Sequence, residues 1–187
     1  MKARILVWLV ALFCCHNVLF AQKEFVNASA RLSGHPRILL QKGEEKALKK
    51  VIMKDAVWKD IHQSLVDEAG EIVKLPLNER IKTGRRLLSV SRENLRRIFI
   101  LSYAYRMTGK SEFLKRAESE MLKAASFSDW NPSHFLDVGE MTMALAIGYD
   151  WLYPQLSEQT KREIENAIVE KGLKPSFDER YNWFVNA

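Results

Sequence analysis

The sequence has little cysteine, glycine or proline. Its only two cysteines, Cys14 and Cys15, stand close to the N-terminus, and there are 8 glycines and 5 prolines among 187 residues. Few residues that favour turns, together with few alternating polar and apolar runs, favour a helical protein. The chain also lacks a glycine-rich phosphate loop, a His/Cys spacing typical of metal sites and a serine-nucleophile motif. We therefore expect no metal and no other cofactor.

Residues 1–21 have the pattern of a secretory signal peptide. Lys2 and Arg4 precede the apolar run 5–15, and a short polar break ends at Ala21. The run is shorter than the roughly 20 apolar residues that span a bilayer. We expect cleavage after Ala21, which removes both cysteines and excludes a disulfide-stapled scaffold. The mature protein is then expected in the bacterial periplasm or outside the cell, without membrane attachment.

The mature chain is mildly basic. Loss of Lys2 and Arg4 with the leader lowers the formal net charge from +6 to +4. That balance suits an acidic polysaccharide as partner, although ordinary solubility charge on helix surfaces explains it equally well. Nothing indicates a nucleic acid partner. With 47% apolar residues, the chain is long enough to form one domain with its own core.

Apolar periodicity predicts helices along most of the chain, after an extended lead over residues 22–42. We expect them at about 43–53, 55–70, 78–88, 92–107, 111–125, 133–153 and 157–171. Local signals place the helix ends. The predicted N-caps are Ser91, Ser111, Ser157 and, with Pro132 at the first helical position, Asn131. The predicted breaks are Thr108-Gly109 and Gly172.

The sequence also resembles itself at a shift of about 46 residues. The coinciding pairs are Tyr103 and Tyr149, Ser111 and Ser157, Glu112 and Glu158, Lys115 and Lys161, and Arg116 and Arg162. Two copies of a helix-turn-helix unit follow one another, as in a solenoid or a ring of helical hairpins. The first helix of the second copy is apolar on all sides, which predicts a buried inner helix, whereas the second has one apolar stripe, which predicts an outer one. The fold class predicted for residues 43–187 is therefore all-α, an incomplete α/α toroid of antiparallel helical hairpins.

A group of polar and aromatic residues precedes and enters the most apolar helix. Its members are Trp130, Asn131, His134, Asp137 and Glu140. Acidic groups near a helix start favour the positive end of the helix dipole, so these residues can be purely structural. Alternatively, the helix opens onto a cleft, where His134 and Asp137, three residues apart, bind a sugar together and Trp130 stacks on its ring. Both interpretations stay open on the sequence alone.

Four stretches resemble the N-terminal part of heparinase II/III-type polysaccharide lyases. They are SGHPRILL, LSYAYRMTGKSEFLKRA, DWNPSHFLDVGEMTMALAIGYDWLYPQLSEQTKREIENAIVEKGL and YNWFVNA, and the similarity runs from about residue 34 onward. The resemblance implies an exported bacterial enzyme with an incomplete α/α toroid followed by β-sandwich domains. It also implies β-elimination on a uronate-containing polysaccharide such as a glycosaminoglycan or alginate. A base removes the C5 proton, a polar group neutralises the carboxylate and an acid protonates the leaving oxygen.

In that family the catalytic residues come from later parts of the toroid and beyond. We therefore expect them after Ala187, and we expect this chain to be an N-terminal portion, inactive by itself. The resemblance implies only cleft-lining or structural roles for Asn131, His134 and Glu140. A helical-repeat module that binds a glycan or a protein without catalysis is the alternative. A third possibility is hydrolysis of unsaturated uronyl sugars, with Asp137 or Asp150 as the acid-base group.

Overall fold

A computed structural model describes residues 34–184, in which the chain forms α-helices joined by short connections. They are α1 (Glu45–Lys54), α2 (Ala56–Lys74), α3 (Leu88–Thr108), α4 (Ser111–Ala125), α5 (Phe135–Leu152) and α6 (Glu158–Ala167). A 3₁₀ turn, Tyr153–Gln155, follows α5, and a π-helical stretch, Ile168–Leu173, continues α6 before two 3₁₀ stretches, Lys174–Phe177 and Glu179–Phe184. No strand occurs in this range, so the all-α prediction is confirmed for the described residues. The proposed signal peptide and its cleavage site lie outside them.

Helices α3 to α6 form two successive hairpins. Gly109 joins α3 to α4, and the 3₁₀ turn leads from α5 towards α6. Across the hairpins α3 packs against α5 and α4 packs against α6, so each helix meets its counterpart in the repeat. Helix α2 packs against the free side of α3 and also touches α4. The two predicted hairpins therefore exist and lie side by side.

Helix α5 is the most deeply buried helix, as its sequence predicts. Its fully buried apolar side chains are Val138, Met141, Ala144, Leu145 and Leu152. At Gly148 the neighbours come so close that a Cβ atom would lie 2.5 Å from Met121 Sδ and 2.6 Å from Ile98 Cγ2. Glycine is needed here for close packing of α3 and α4 against α5, since the backbone of Gly148 is ordinary helix.

Helix α6 has the predicted single apolar stripe. Thr160, Ile164 and Ala167 are buried, and the positions between them are largely exposed. Ser157 is its N-cap, because its hydroxyl accepts a 3.0 Å hydrogen bond from the backbone N–H of Thr160. This cap was predicted correctly and satisfies one of the free amides of the first turn.

The helix predicted at 78–88 is absent, and α3 begins earlier than expected. Residues 75–87 are non-helical, with an isolated bridge between Thr83 and Arg86. Long-range partners take up the polar groups of this connection. The Arg80 guanidinium binds Asp129 through both its carbonyl (3.0 Å) and its carboxylate (2.6 Å). Such contacts override a weak local helical preference.

Two predicted serine caps are wrong. Ser91 lies inside α3, and its hydroxyl hydrogen-bonds Leu88 O and the Glu140 carboxylate. Ser111 is the first residue of α4, where Lys110 holds the cap position without a side-chain bond.

Of the two predicted glycine breaks, only Gly109 ends a helix. Its φ of 74° is left-handed, and its N–H donates to Tyr105 O at 2.7 Å, which closes α3. Gly172 instead lies within the π-helical stretch. A Cβ atom there would come within 2.5 Å of Thr142 Oγ1 and 3.1 Å of Trp130 Cζ3. Close packing, not a chain break, explains this second glycine.

Candidate functional site

Three of the predicted site residues meet at the start of α5 around a buried carboxylate. Asp137 is fully buried, and its Oδ2 accepts hydrogen bonds from Asn131 Nδ2 and from the backbone N–H of Leu87, both at 2.7 Å. Its Oδ1 lies 3.0 Å from His134 Nδ1. Buried carboxylates are stable only when their oxygens are hydrogen-bonded in this way. Asp137 therefore holds the connection before α3 against the start of α5.

Asn131 is not an N-cap, contrary to the prediction. Helix α5 starts at Phe135, with His134 in the cap position and no side-chain cap bond. Asn131 adopts a left-handed φ of 59°, a conformation that asparagine tolerates better than most residues. Its N–H donates to Asp129 Oδ1 at 2.6 Å, and its amide also donates to Arg85 O at 2.8 Å. This arrangement turns the chain into α5 and joins two loops.

Trp130 lies beneath this turn, and no part of its ring is exposed. Its relative exposure is 0%, and its indole N–H donates to Ala124 O at 3.1 Å. The sequence predicted that the Trp130 ring stacks on a sugar. The structure does not allow such stacking, because no face of the indole is accessible. The polar residues around it suggested exposure, but they say nothing about the direction of the ring.

Glu140 forms a second, more exposed group with α3. Its Oε2 accepts from Ser91 Oγ at 2.6 Å, and its Oε1 lies 3.1 Å from Arg92 Nε. The side chains of Glu140 and His134 keep 17% and 16% of their surface accessible. An external ligand can reach these two groups and the exposed guanidinium of Arg92 at this end of α5.

The opposite end of α5 carries a second buried aspartate, Asp150, with an exposed fraction of 1%. Its Oδ1 accepts from His35 Nδ1 at 2.5 Å, and its Oδ2 accepts from the backbone N–H groups of Arg37 and Ile38, each at 2.8 Å. The Trp151 indole N–H donates to Ile38 O at 2.8 Å. Asp150 and Trp151 thus bind the chain segment before α1 to the end of α5.

A cleft of about 400 Å³ opens beside this second cluster. It lies between the segment before α1, the end of α3 and the end of α5. Its principal lining residues are His35, Lys42, Tyr105, Arg106, Trp151 and Gln155. This cleft was not predicted from the sequence, because residues more than a hundred positions apart form it. The available signal was Asp150, a charged residue in the apolar second half of α5.

Arg106 forms a fixed part of the cleft wall. Its guanidinium donates to the carbonyls of Leu40 and Gln41, lies 5.0 Å from the centre of the Trp151 ring, and binds Glu45 with Nε to Oε1 at 2.9 Å. Partial burial, the largest single effect, raises the pKa of Glu45, but the hydrogen bond and charge of Arg106 together with backbone hydrogen bonds outweigh it, so the pKa is lowered overall. Glu45 is therefore ionised at neutral pH, and this pair contributes little net charge to the cleft.

Tyr149 and the two buried aspartates of α5 do not have the properties of a base for β-elimination. Tyr149, on α5, donates its hydroxyl proton to Glu165, and burial together with this carboxylate raises its pKa. A tyrosine with a raised pKa does not readily become the phenolate that abstracts a proton. Asp137 and Asp150 are both buried, with exposed fractions of 0% and 1%, and each carboxylate oxygen accepts a hydrogen bond from the protein. The hydrolytic alternative would need one of these carboxyl groups to be accessible to the substrate.

No protein-family model matches this sequence, and no curated protein matches it.

Among residues 34–184 there is no cluster of three or more His, Cys, Asp or Glu side chains that could hold a metal ion. In the same range no helix is both long enough and apolar enough to cross a membrane.

Proposed function

We propose that this chain is the N-terminal part of the α/α toroid of an exported polysaccharide lyase. The complete enzyme would degrade a uronate-containing acidic polysaccharide, a glycosaminoglycan or alginate, by β-elimination. The arrangement of α3 to α6 supports the proposal most strongly, because two hairpins lie side by side with a buried helix in one packed against its counterpart in the other. Further hairpins added in the same way, with a curvature that closes the ring, would give the toroid that the proposal requires.

The polar groups at the start of α5 support a glycan-binding role within that toroid. His134 and Glu140 are partly accessible, and hydrogen-bonding side chains fix the orientation of each. Sugars are bound by such pre-oriented donors and acceptors, because little conformational freedom is lost on binding. Asn131 and Asp137 support the position of His134 from behind. In this proposal the chain contributes binding, while the acid-base residues come from elsewhere in the enzyme.

The chain should therefore bind acidic glycans without cleaving them. The test uses residues 22–187 with heparan sulfate, hyaluronan and alginate, and with dextran as the neutral control. Binding is measured as retarded migration in gels that contain the glycan, and cleavage as the ultraviolet absorbance of unsaturated uronate. We expect retardation by at least one acidic glycan and no absorbance change. Equal retardation by dextran, or none by any acidic glycan, would contradict the proposal.

A helical-repeat binding module is the second candidate function. It is favoured by the hydrogen bonds of Tyr149 and both buried aspartates, which leave none of these three side chains free to act as the base. The reading frame that contains this chain separates the two candidates. A longer protein that produces unsaturated uronate supports the lyase, and binding without product by the whole encoded protein supports the module.

A further inference from the structure

The cleft beside Asp150 has a rigid floor. Arg106 keeps only 4% of its side chain exposed, and its guanidinium stacks on Trp151, whose exposed fraction is also 4%. Backbone carbonyls of Leu40 and Ile38 accept hydrogen bonds from these two side chains. The Arg106 guanidinium and the Trp151 ring are each held by hydrogen bonds and by each other, so the cleft is already formed without a ligand. A preformed site of this kind loses little entropy on binding.

The rim of the cleft carries polar groups that make no side-chain hydrogen bond within the described range. Three of them are donors: the Lys42 ammonium, the Tyr105 hydroxyl and the Gln155 amide. His35 adds a further polar atom. Its Nδ1 lies 2.5 Å from Asp150 Oδ1, and its Nε2 makes no hydrogen bond within the described range. Several hydrogen-bonding groups around one cavity match a ligand with several oxygen atoms.

The charge of the cleft favours an anionic ligand. The paired Arg106 and Glu45 offset each other, and the charge of Asp150 is offset by Arg37, whose Nε lies 4.0 Å from Asp150 Oδ1. The C-termini of α3 and α5 face this region, and the negative end of a helix dipole favours cations. This attraction is limited, because a hydrogen bond already occupies one of the last α3 carbonyls and the dipole effect fades within one turn. Lys42 is then the one lining cation without an opposing carboxylate within the described residues.

We propose that this cleft binds one carboxylate-bearing sugar unit. Lys42 pairs with the carboxylate, while Tyr105, Gln155 and His35 hydrogen-bond the hydroxyl groups. The volume of about 400 Å³ is near the lower end of small-molecule sites, roughly 300–1,000 Å³, and suits one or two sugar rings. The choice of a sugar rests on the function proposed above, whereas the preference for a carboxylate rests on the cleft itself.

The experiment titrates the chain with methyl glucuronide and, separately, with methyl glucoside, using saturation-transfer NMR and calorimetry. These two ligands differ in the carboxylate. We expect the glucuronide to bind with a millimolar dissociation constant and the glucoside more weakly by about tenfold, the value of one charge-assisted hydrogen bond. Lys42→Gln should weaken glucuronide binding about tenfold and leave glucoside binding unchanged. The melting temperature should stay the same, because Lys42 is exposed and its hydrogen bond to Pro36 O comes from the backbone.

Lys46→Gln is the matched control. Lys46 lies one turn further along, is exposed, and does not line the cleft. Equal losses in Lys42→Gln and Lys46→Gln would show general charge attraction and overturn the proposal, as would equal binding of the two glycosides. If polysaccharide retards the chain but glucuronide does not bind, the cleft proposal alone fails. If no acidic glycan binds in any form, the proposed function fails as well.

Discussion

Replacement of Asp150 should detach the segment before α1 from the rest of the fold. Its two carboxylate oxygens accept three hydrogen bonds, from His35 Nδ1 and from the N–H groups of Arg37 and Ile38. Asp150→Ala leaves these three donors without their acceptor. Asp150→Asn keeps the shape but puts an NH₂ group where an oxygen stood, so a donor then faces a donor.

The size of the effect follows from the number of bonds and from burial. A hydrogen bond to a charged group contributes about 1.5–3 kcal/mol, and breaking a buried charged network costs about 3–5 kcal/mol in total. We expect Asp150→Ala to lower the free energy of unfolding by about 4 kcal/mol. Asp150→Asn should lower it by about half as much, since the amide oxygen can still accept from Arg37 and Ile38. For a chain of this length about 4 kcal/mol corresponds to roughly 8–16 °C in Tm.

The assay is thermal and urea unfolding followed by circular dichroism, with hydrogen exchange as the local readout. The amides of Arg37 and Ile38 should be protected in the unaltered chain and exchange freely in Asp150→Ala. The control is Asp60→Ala on the exposed surface of α2, which should change stability by no more than about 0.5 kcal/mol. Equal Tm shifts in the two variants, or continued protection of the two amides, would refute the role assigned to Asp150.

Further predictions concern the core, the response to acid and catalysis. Gly148→Ala should lower the free energy of unfolding by about 1–3 kcal/mol through overpacking. Gly139→Ala, in the same helix but with no atom near its Cβ position, should raise it by up to about 1 kcal/mol. Urea unfolding midpoints would show both changes. The hydrogen bond from Arg96 lowers the pKa of Glu93 below 4.5, so this carboxylate stabilises the fold above that pH and the contribution disappears as pH falls through the folded-state pKa. Glu93→Gln should accordingly flatten the fall in unfolding free energy between about pH 6 and pH 3, and an unchanged slope would contradict this assignment. Residues 22–187 should generate no unsaturated uronate from heparan sulfate, hyaluronan or alginate, and a sustained rise in ultraviolet absorbance would disprove that expectation.

The helices were largely predictable because their signals are local. The apolar pattern of α5 and the single stripe of α6 both depend on residues within a few turns, and the cap at Ser157 lies three residues from the amide it binds. The connection over 75–87 was not predictable in this way. Its structure depends on Asp129 and Asp137, about fifty residues further along the chain.

The candidate site could be predicted only in part, for the same reason. His134 and Asp137 are in contact because they are three residues apart at a helix start. The partners that bury Asp137, Leu87 N–H and the Asn131 amide, follow from the tertiary fold and make its role structural. The contact between His35 and Asp150 spans 115 positions, which no periodicity reports.

The distance between the two buried aspartates of α5 shows whether the surfaces at the two ends of the helix can act as one site. Asp137 and Asp150 are thirteen residues apart, about 20 Å along a helix with a rise of 1.5 Å per residue. Carboxylate pairs that act together on one glycosidic bond lie within about 10 Å, so these two cannot form such a pair. The accessible group around His134 and the cleft lined by Lys42 must therefore be separate sites on opposite ends of one rigid helix. It follows that His134→Ala should leave glucuronide binding in the cleft unchanged, because the two sites share no residue and the tightly packed helix between them shows no second arrangement through which one end could alter the other.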